Sequence, residues 1–165
     1  MTNQVVNVVL AGLGGQGVVK ASDIVAEVAF RSGLDVKKAE IHGMSQRGGS
    51  VSTDVRFGPH VLSPMVPTGQ ADFLVVVEPT QIDNNRGQLK PGGMLIDPSM
   101  IDTKKLRNTK TLNVALLGVL SAHLDFPPES WKSALSALLP EHLRDINEEA
   151  FDLGRNIGIN KEPCP

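Results

Sequence analysis

Two stretches of this chain concentrate residues able to do chemistry. The first, Gly12-Leu13-Gly14-Gly15-Gln16-Gly17, has the spacing G-x-G-x-x-G. Glycines so placed permit positive φ and let backbone N–H groups approach an anion, and a helix starting behind them adds a favourable dipole. The ligand such a loop suits is a phosphate or a nucleotide, with Gly12, Gly14, Gly15, Gln16 and Gly17 as the cofactor-binding residues. An acid roughly 20 residues further on extends the pattern to the ribose of NAD, and Glu40 stands there. The same glycines serve equally well to make a tight strand-to-helix turn, and spacing alone leaves both readings open. No G-K-[ST] follows, which disfavours a P-loop NTPase.

The second stretch, Glu40-Ile41-His42-Gly43-Met44-Ser45-Gln46-Arg47-Gly48-Gly49-Ser50, places an imidazole, a guanidinium, hydroxyls and a carboxamide among three glycines. Arg47 suits a carboxylate or phosphate held by two parallel hydrogen bonds, and His42 suits donation to, or proton exchange with, a carbonyl oxygen. These two are the catalytic candidates. Ser45, Gln46, Gly48 and Gly49 complete the ligand-facing set, against the alternative of a surface turn in which His42 and Arg47 only cap nearby backbone.

Strands and helices must position these loops. Gln4 to Ala11 is rich in Val and reads as a buried central parallel strand. Val18, Ala21, Val25, Val28 and Ala29 recur at helical spacing, with Gly33 suiting the helix end. Val36–Ile41, Val51–Phe57 and Phe73–Val77 read as strands, and Pro91-Gly92-Gly93 as a turn before a short strand at Met94–Ile96. Val114–Leu124, apolar almost all round, predicts a buried helix, and two helical stripes follow around Trp131–Leu138 and Leu143–Phe151. The alternation predicts an α/β fold, three-layer α/β/α, Rossmann-like, with a mainly parallel sheet whose ligands gather at the carboxyl ends of the strands. Residues 1–158 are expected to form a single domain, followed by a tail over 159–165.

Composition narrows the function classes. At 165 residues, 41% hydrophobic and 21% charged, the chain is expected to bury one sizeable core. A net charge of −2, a single Trp, five Phe and no Tyr offer neither a basic footprint nor a stacking surface for nucleic acid. The apolar runs are far short of a membrane span and the amino terminus lacks the pattern of a secretory leader, so a cytoplasmic setting is expected. The one cysteine, Cys164, cannot build a thiolate-ligated iron–sulfur cluster, a Cys-type zinc site or an intrachain disulfide, and no metal ligands are assigned.

The run Gly14-Gly15-Gln16-Gly17 with Glu40 to Val51 resembles the gamma-type subunits of the 2-oxoacid:ferredoxin oxidoreductases, the pyruvate/ketoisovalerate oxidoreductase catalytic-domain family. Within it the chain is most similar to the small (beta) subunit of the indolepyruvate enzymes. Leu112 to Ser121 resembles the family's N-x-x-x-L-G helix, and Asn147 to Gly154 its closing helix. The resemblance implies a fold like domain III of the fused pyruvate enzymes. It implies oxidative decarboxylation of a 2-oxoacid, here an aryl pyruvate, to an acyl-CoA with electrons passed to ferredoxin. Thiamine diphosphate, magnesium and the iron–sulfur clusters would then reside on a large alpha subunit, coenzyme A would be co-substrate, and this chain would bind no redox cofactor alone within a hetero-oligomer. The glycine loop and the His42–Gly49 loop carry over as the ligand- or interface-facing edge, without individual roles. A stand-alone module binding NAD or CoA is the alternative. One departure is expected: between Pro98 and Leu112 the chain is short where an additional strand and helix belong, and Lys104 to Lys110 fills the gap as a solvated charged face or as a contact for coenzyme A phosphates.

Overall fold

The structure is a computed structural model, and it describes residues 4–44 and 48–160. Five strands, β1 (Val6–Leu13), β2 (Asp35–His42), β3 (Ser50–Gly58), β4 (Ala71–Val76) and β5 (Leu89–Ile96), form one sheet in the order β2-β3-β1-β4-β5. β1 is central, as its Val-rich run predicts. It pairs parallel to β4, which pairs parallel to β5, but antiparallel to β3. β2 is in turn antiparallel to β3, so four strands share one direction and β3 alone is reversed.

The reversal has a plain cause. Only residues 43–49 separate β2 from β3, and a parallel return needs a crossover of a dozen residues or more. The chain therefore folds back as a hairpin, and β3 inserts between β1 and β2. A second difference lies at Pro91-Gly92-Gly93. It is a bulge inside β5 rather than a turn before it, because Ala71 pairs with Leu89 and Phe73 with Met94, leaving Lys90–Gly93 opposite the single Asp72. Gly92, at φ 77°, supplies the left-handed residue the bulge needs.

The long helices α1 (Val18–Arg31), α3 (Leu112–Ser121), α4 (Pro128–Leu138) and α5 (Arg144–Asn160) contribute to the main core with Val8 and Leu10 of β1 and Val75 of β4. Alternation along β1 sends Val9 and Ala11 to the opposite face, where Val66, Leu74 and Val76 join them and Ile82 of the single-turn helix α2 (Ile82–Asn85) packs alongside. The outer layer on that face thus consists of α2 and the loop through Val66. Buried Asp54 holds this loop by accepting the Val66 N–H at 2.8 Å, and its burial raises its carboxyl above the ordinary range.

Helices α3 and α5 approach unusually closely. A Cβ added to Gly154 would lie 1.8 Å from the carbonyl oxygen of Ala115, and one added to Gly118 would lie 2.2 Å from that of Phe151. Between β5 and α3 the chain makes three single-turn 3-10 helices, at Pro98–Met100, Thr103–Lys105 and Thr109–Thr111. Each is capped by the preceding side chain, from Asp97, Asp102 and Asn108. No helix among the described residues is long and apolar enough to cross a membrane.

Candidate functional site

The carboxyl end of β1 carries the first glycine loop, and the hairpin between β2 and β3 carries the second. They meet directly: the Gly14 N–H donates to the Gly49 carbonyl at 2.9 Å, continuing the β1–β3 ladder past Leu13 and Ser50. His42, Val51 and Gly12 stand in one row across β2, β3 and β1. At normal strand spacing this places the His42 backbone roughly 10 Å from that of Gly12.

The glycine loop is filled from within. Gln16 Oε1 accepts the Leu13 N–H at 2.8 Å, and Gln16 Nε2 donates to Glu78 Oε2 at 2.9 Å. Gly12 must lack a side chain because a Cβ there would lie 2.9 Å from Gln16 Oε1 and 2.8 Å from Val18 Cγ2. Gly17, at φ 75°, begins α1, and its carbonyl accepts a hydrogen bond from Asn113 Nδ2 at 3.2 Å. Asn113 thus ties the start of α3 to the start of α1. Glu78 also caps the turn after β4, accepting from Thr80 N at 3.5 Å.

This geometry does not favour a dinucleotide site. The N–H groups of Leu13, Gly14 and Gln16 are all engaged within the protein, and a carboxylate, Glu78, borders the loop where phosphates would need cations. Glu40 is not placed to hold a ribose either, because the inserted β3 moves β2 one strand further from β1 than the NAD pattern requires. Glu40 instead accepts from Lys38 Nζ at 2.9 Å and lies 3.3 Å from His42 Nε2, and these partners hold its carboxyl below the usual range, Lys38 foremost. Lys38 also bonds Asp23 of α1. Burial works to lower its ammonium pKa, and the two carboxylates overcome this to raise it.

A cleft of about 510 Å³ opens beside the glycine loop, lined by Gly15, Gly17, Glu78, Pro98, Lys110 and Asn113 among others. It adjoins the first turns of α1 and α3, and no side chain caps the start of α1. The uncapped start of α1 and the Lys110 ammonium favour an anion there, and the Glu78 carboxylate opposes one. Lys110 closes the Lys104–Lys110 stretch that the sequence offers as a charged face or a phosphate contact, and it lies in the third Asx-capped turn, two residues before α3; Asn113 is outside both glycine-rich motifs. His42 does not line this cleft. It borders a separate cavity of about 280 Å³ between the hairpin and α2, with Ser50, Ser52, Gln81 and Asn84. The two motifs therefore share a backbone junction without sharing one cavity. Gly48, at φ 65°, and Gly49 lie at that junction, whereas Ser45, Gln46 and Arg47 lie outside the described residues.

Residues 7–104 match the family model described as pyruvate ferredoxin/flavodoxin oxidoreductase. The chain is 32% identical to the indolepyruvate oxidoreductase subunit IorB of Thermococcus kodakarensis, with 90% of this chain and 93% of that protein covered. The chain belongs to this family. The alignment to IorB spans 188 positions, more than the 165 residues present here, so the relative carries segments this chain lacks. The fold agrees with that of the keto/oxoacid ferredoxin oxidoreductase gamma subunit of Geobacter sulfurreducens, at a TM-score of 0.80 and 24% identity, covering 94% of this chain and 99% of that one. It agrees also with part of the 2-oxoglutarate:ferredoxin oxidoreductase of Magnetococcus marinus, solved with 2-oxoglutarate, coenzyme A and succinyl-CoA bound, at a TM-score of 0.86 and 20% identity over 99% of this chain and 32% of that one.

Proposed function

We propose that this chain is the non-cofactor subunit of a cytoplasmic, thiamine diphosphate-dependent 2-oxoacid:ferredoxin oxidoreductase whose substrate is an aryl pyruvate such as indolepyruvate. The observation that carries the reading is the Gly14–Gly49 hydrogen bond, which joins the two glycine loops into one edge at the carboxyl ends of the strands. Such an edge suits contact with a partner's active site. The large partner subunit carries thiamine diphosphate, magnesium and the iron–sulfur clusters. This chain has one cysteine and, among its described residues, no group of three His, Cys, Asp or Glu able to hold a metal.

Thiamine diphosphate, held by the partner, would supply the electron sink for decarboxylation of the 2-oxoacid. What this chain adds is positioning. Arg47 engages the substrate carboxylate, and His42, anchored at the end of β2 beside Glu40, serves the carbonyl oxygen. Lys110, on the cleft beside the start of α1, is the cation there for a phosphate of coenzyme A, and the Glu78 carboxylate on the same cleft keeps the phosphates away from the glycine loop itself. In the assembled enzyme, Arg47→Ala is expected to lower kcat/KM for the 2-oxoacid about 10²–10³-fold without loss of assembly. Unchanged kcat/KM would remove Arg47 from the reaction, and lost assembly would make the hairpin a docking element only.

A further inference from the structure

The two edges of the sheet are built differently. The outer edge of β5 is interrupted by Pro91 and the bulge around it, as protected edges are. β2 is an uninterrupted eight-residue edge strand, in register with β3 from Asp35 to His42, and no described strand lies outside it. The phase of its hydrogen bonds follows from the Gly43 N–H, which donates to the Ser50 carbonyl at 2.7 Å. Antiparallel pairs alternate, so Gly43, Ile41, Ala39 and Lys37 bond inward to β3. Val36, Lys38, Glu40 and His42 accordingly direct their N–H and C=O groups outward.

We propose that β2 is a self-association edge, pairing antiparallel with β2 of a second copy about a two-fold axis through Ala39. Register and charge both favour this pairing. That axis sets Lys38 of each copy opposite Glu40 of the other and Val36 opposite His42, so all four outward-facing residues pair. Moving the axis to residue 38 places Lys38 against itself, and moving it to residue 40 places Glu40 against itself. Axes at 37 or 41 leave only two outward-facing residues of each copy paired. The Ala39 register alone combines the greatest number of backbone bonds with opposite charges across the seam. Exposed apolar surface lies along the same edge: Phe30, 68% exposed, lines a groove with Ala26, Val36 and Leu138. Two sheets joined this way form a continuous ten-stranded sheet with α1 of each copy beside the seam.

Sedimentation of the full chain over a range of concentrations is expected to show a species of twice the 17.6 kDa chain mass. Lys38→Glu and Glu40→Lys should each weaken it by about tenfold or more. Mixing these two variants should restore a dimer containing one of each, because every facing pair is then opposite in charge. The Lys38–Glu40 contact within one chain cannot produce that rescue. In a Cys164→Ser background, Ala39→Cys should cross-link copies under mild oxidation, a readout independent of the charge variants. A monomer at every concentration would overturn the proposal and make the lysines guards against edge pairing; so would a dimer unaffected by either charge reversal.

Discussion

At the scale of single residues, the site depends on side chains that shape the backbone as much as on those that face a ligand. Gln16 lies inside G-x-G-x-x-G, a motif ordinarily read for its glycines, yet its carboxamide bridges the Leu13 N–H and the Glu78 carboxylate. Gln16→Ala leaves a partly buried N–H without its acceptor, and a loss of about 1–2 kcal/mol of stability is expected, seen as a lower urea midpoint at unchanged m-value. No loss would mean that the loop keeps its form without the bridge. The sequence makes the presence of this loop plain, because glycines, flanking strand and following helix agree. Its internal filling was not legible there, since that depends on Glu78 lying 62 positions away. Glu40 shows the same limit from the other side. Its spacing from the glycines suits a ribose contact, but a strand inserted in space, not in sequence, displaces it.

At the scale of elements, periodicity located β1 to β4, α1, α3 and α4 to within a few residues, because each has a face buried against the sheet or a neighbouring helix, whereas β5 begins five residues before Met94 and α5 runs nine residues past Phe151. Strand direction was legible only through loop length. The seven residues from Gly43 to Gly49 cannot make a parallel crossover, and that count, set against the α/β expectation, is the signal for a reversed β3. The connection from Pro98 to Thr111 folds into single-turn 3-10 helices whose Asp97, Asp102 and Asn108 caps follow the local rule for Asx turns. Helix contact through glycine is less visible, since Gly118, Gly154 and Gly158 are poor helix residues whose value lies in a neighbour. At an open helical position Gly→Ala stabilises. At Gly154 the new Cβ would meet the Ala115 backbone, so Gly154→Ala is expected to cost about 1–3 kcal/mol. A fall in Tm of about 3–10 °C would show it, and a rise would mean that α3 and α5 separate freely.

At the scale of the whole molecule, a main core under the long helices and a smaller apolar cluster on the other face of the sheet support the edge where the two glycine loops join. The lone cysteine stands in the terminal Pro163-Cys164-Pro165, and the candidate residues are a histidine, an arginine and polar loop groups. The proposed function gives such a chain the role of positioning a substrate whose reactive partner is carried on another subunit. Co-expression with a large subunit bearing thiamine-binding and multi-cysteine segments tests this most directly. The two chains are expected to co-purify, and 2-oxoacid- and coenzyme A-dependent reduction of ferredoxin is expected to require both. A partner that is fully active alone, or that shows no affinity for this chain, would contradict it.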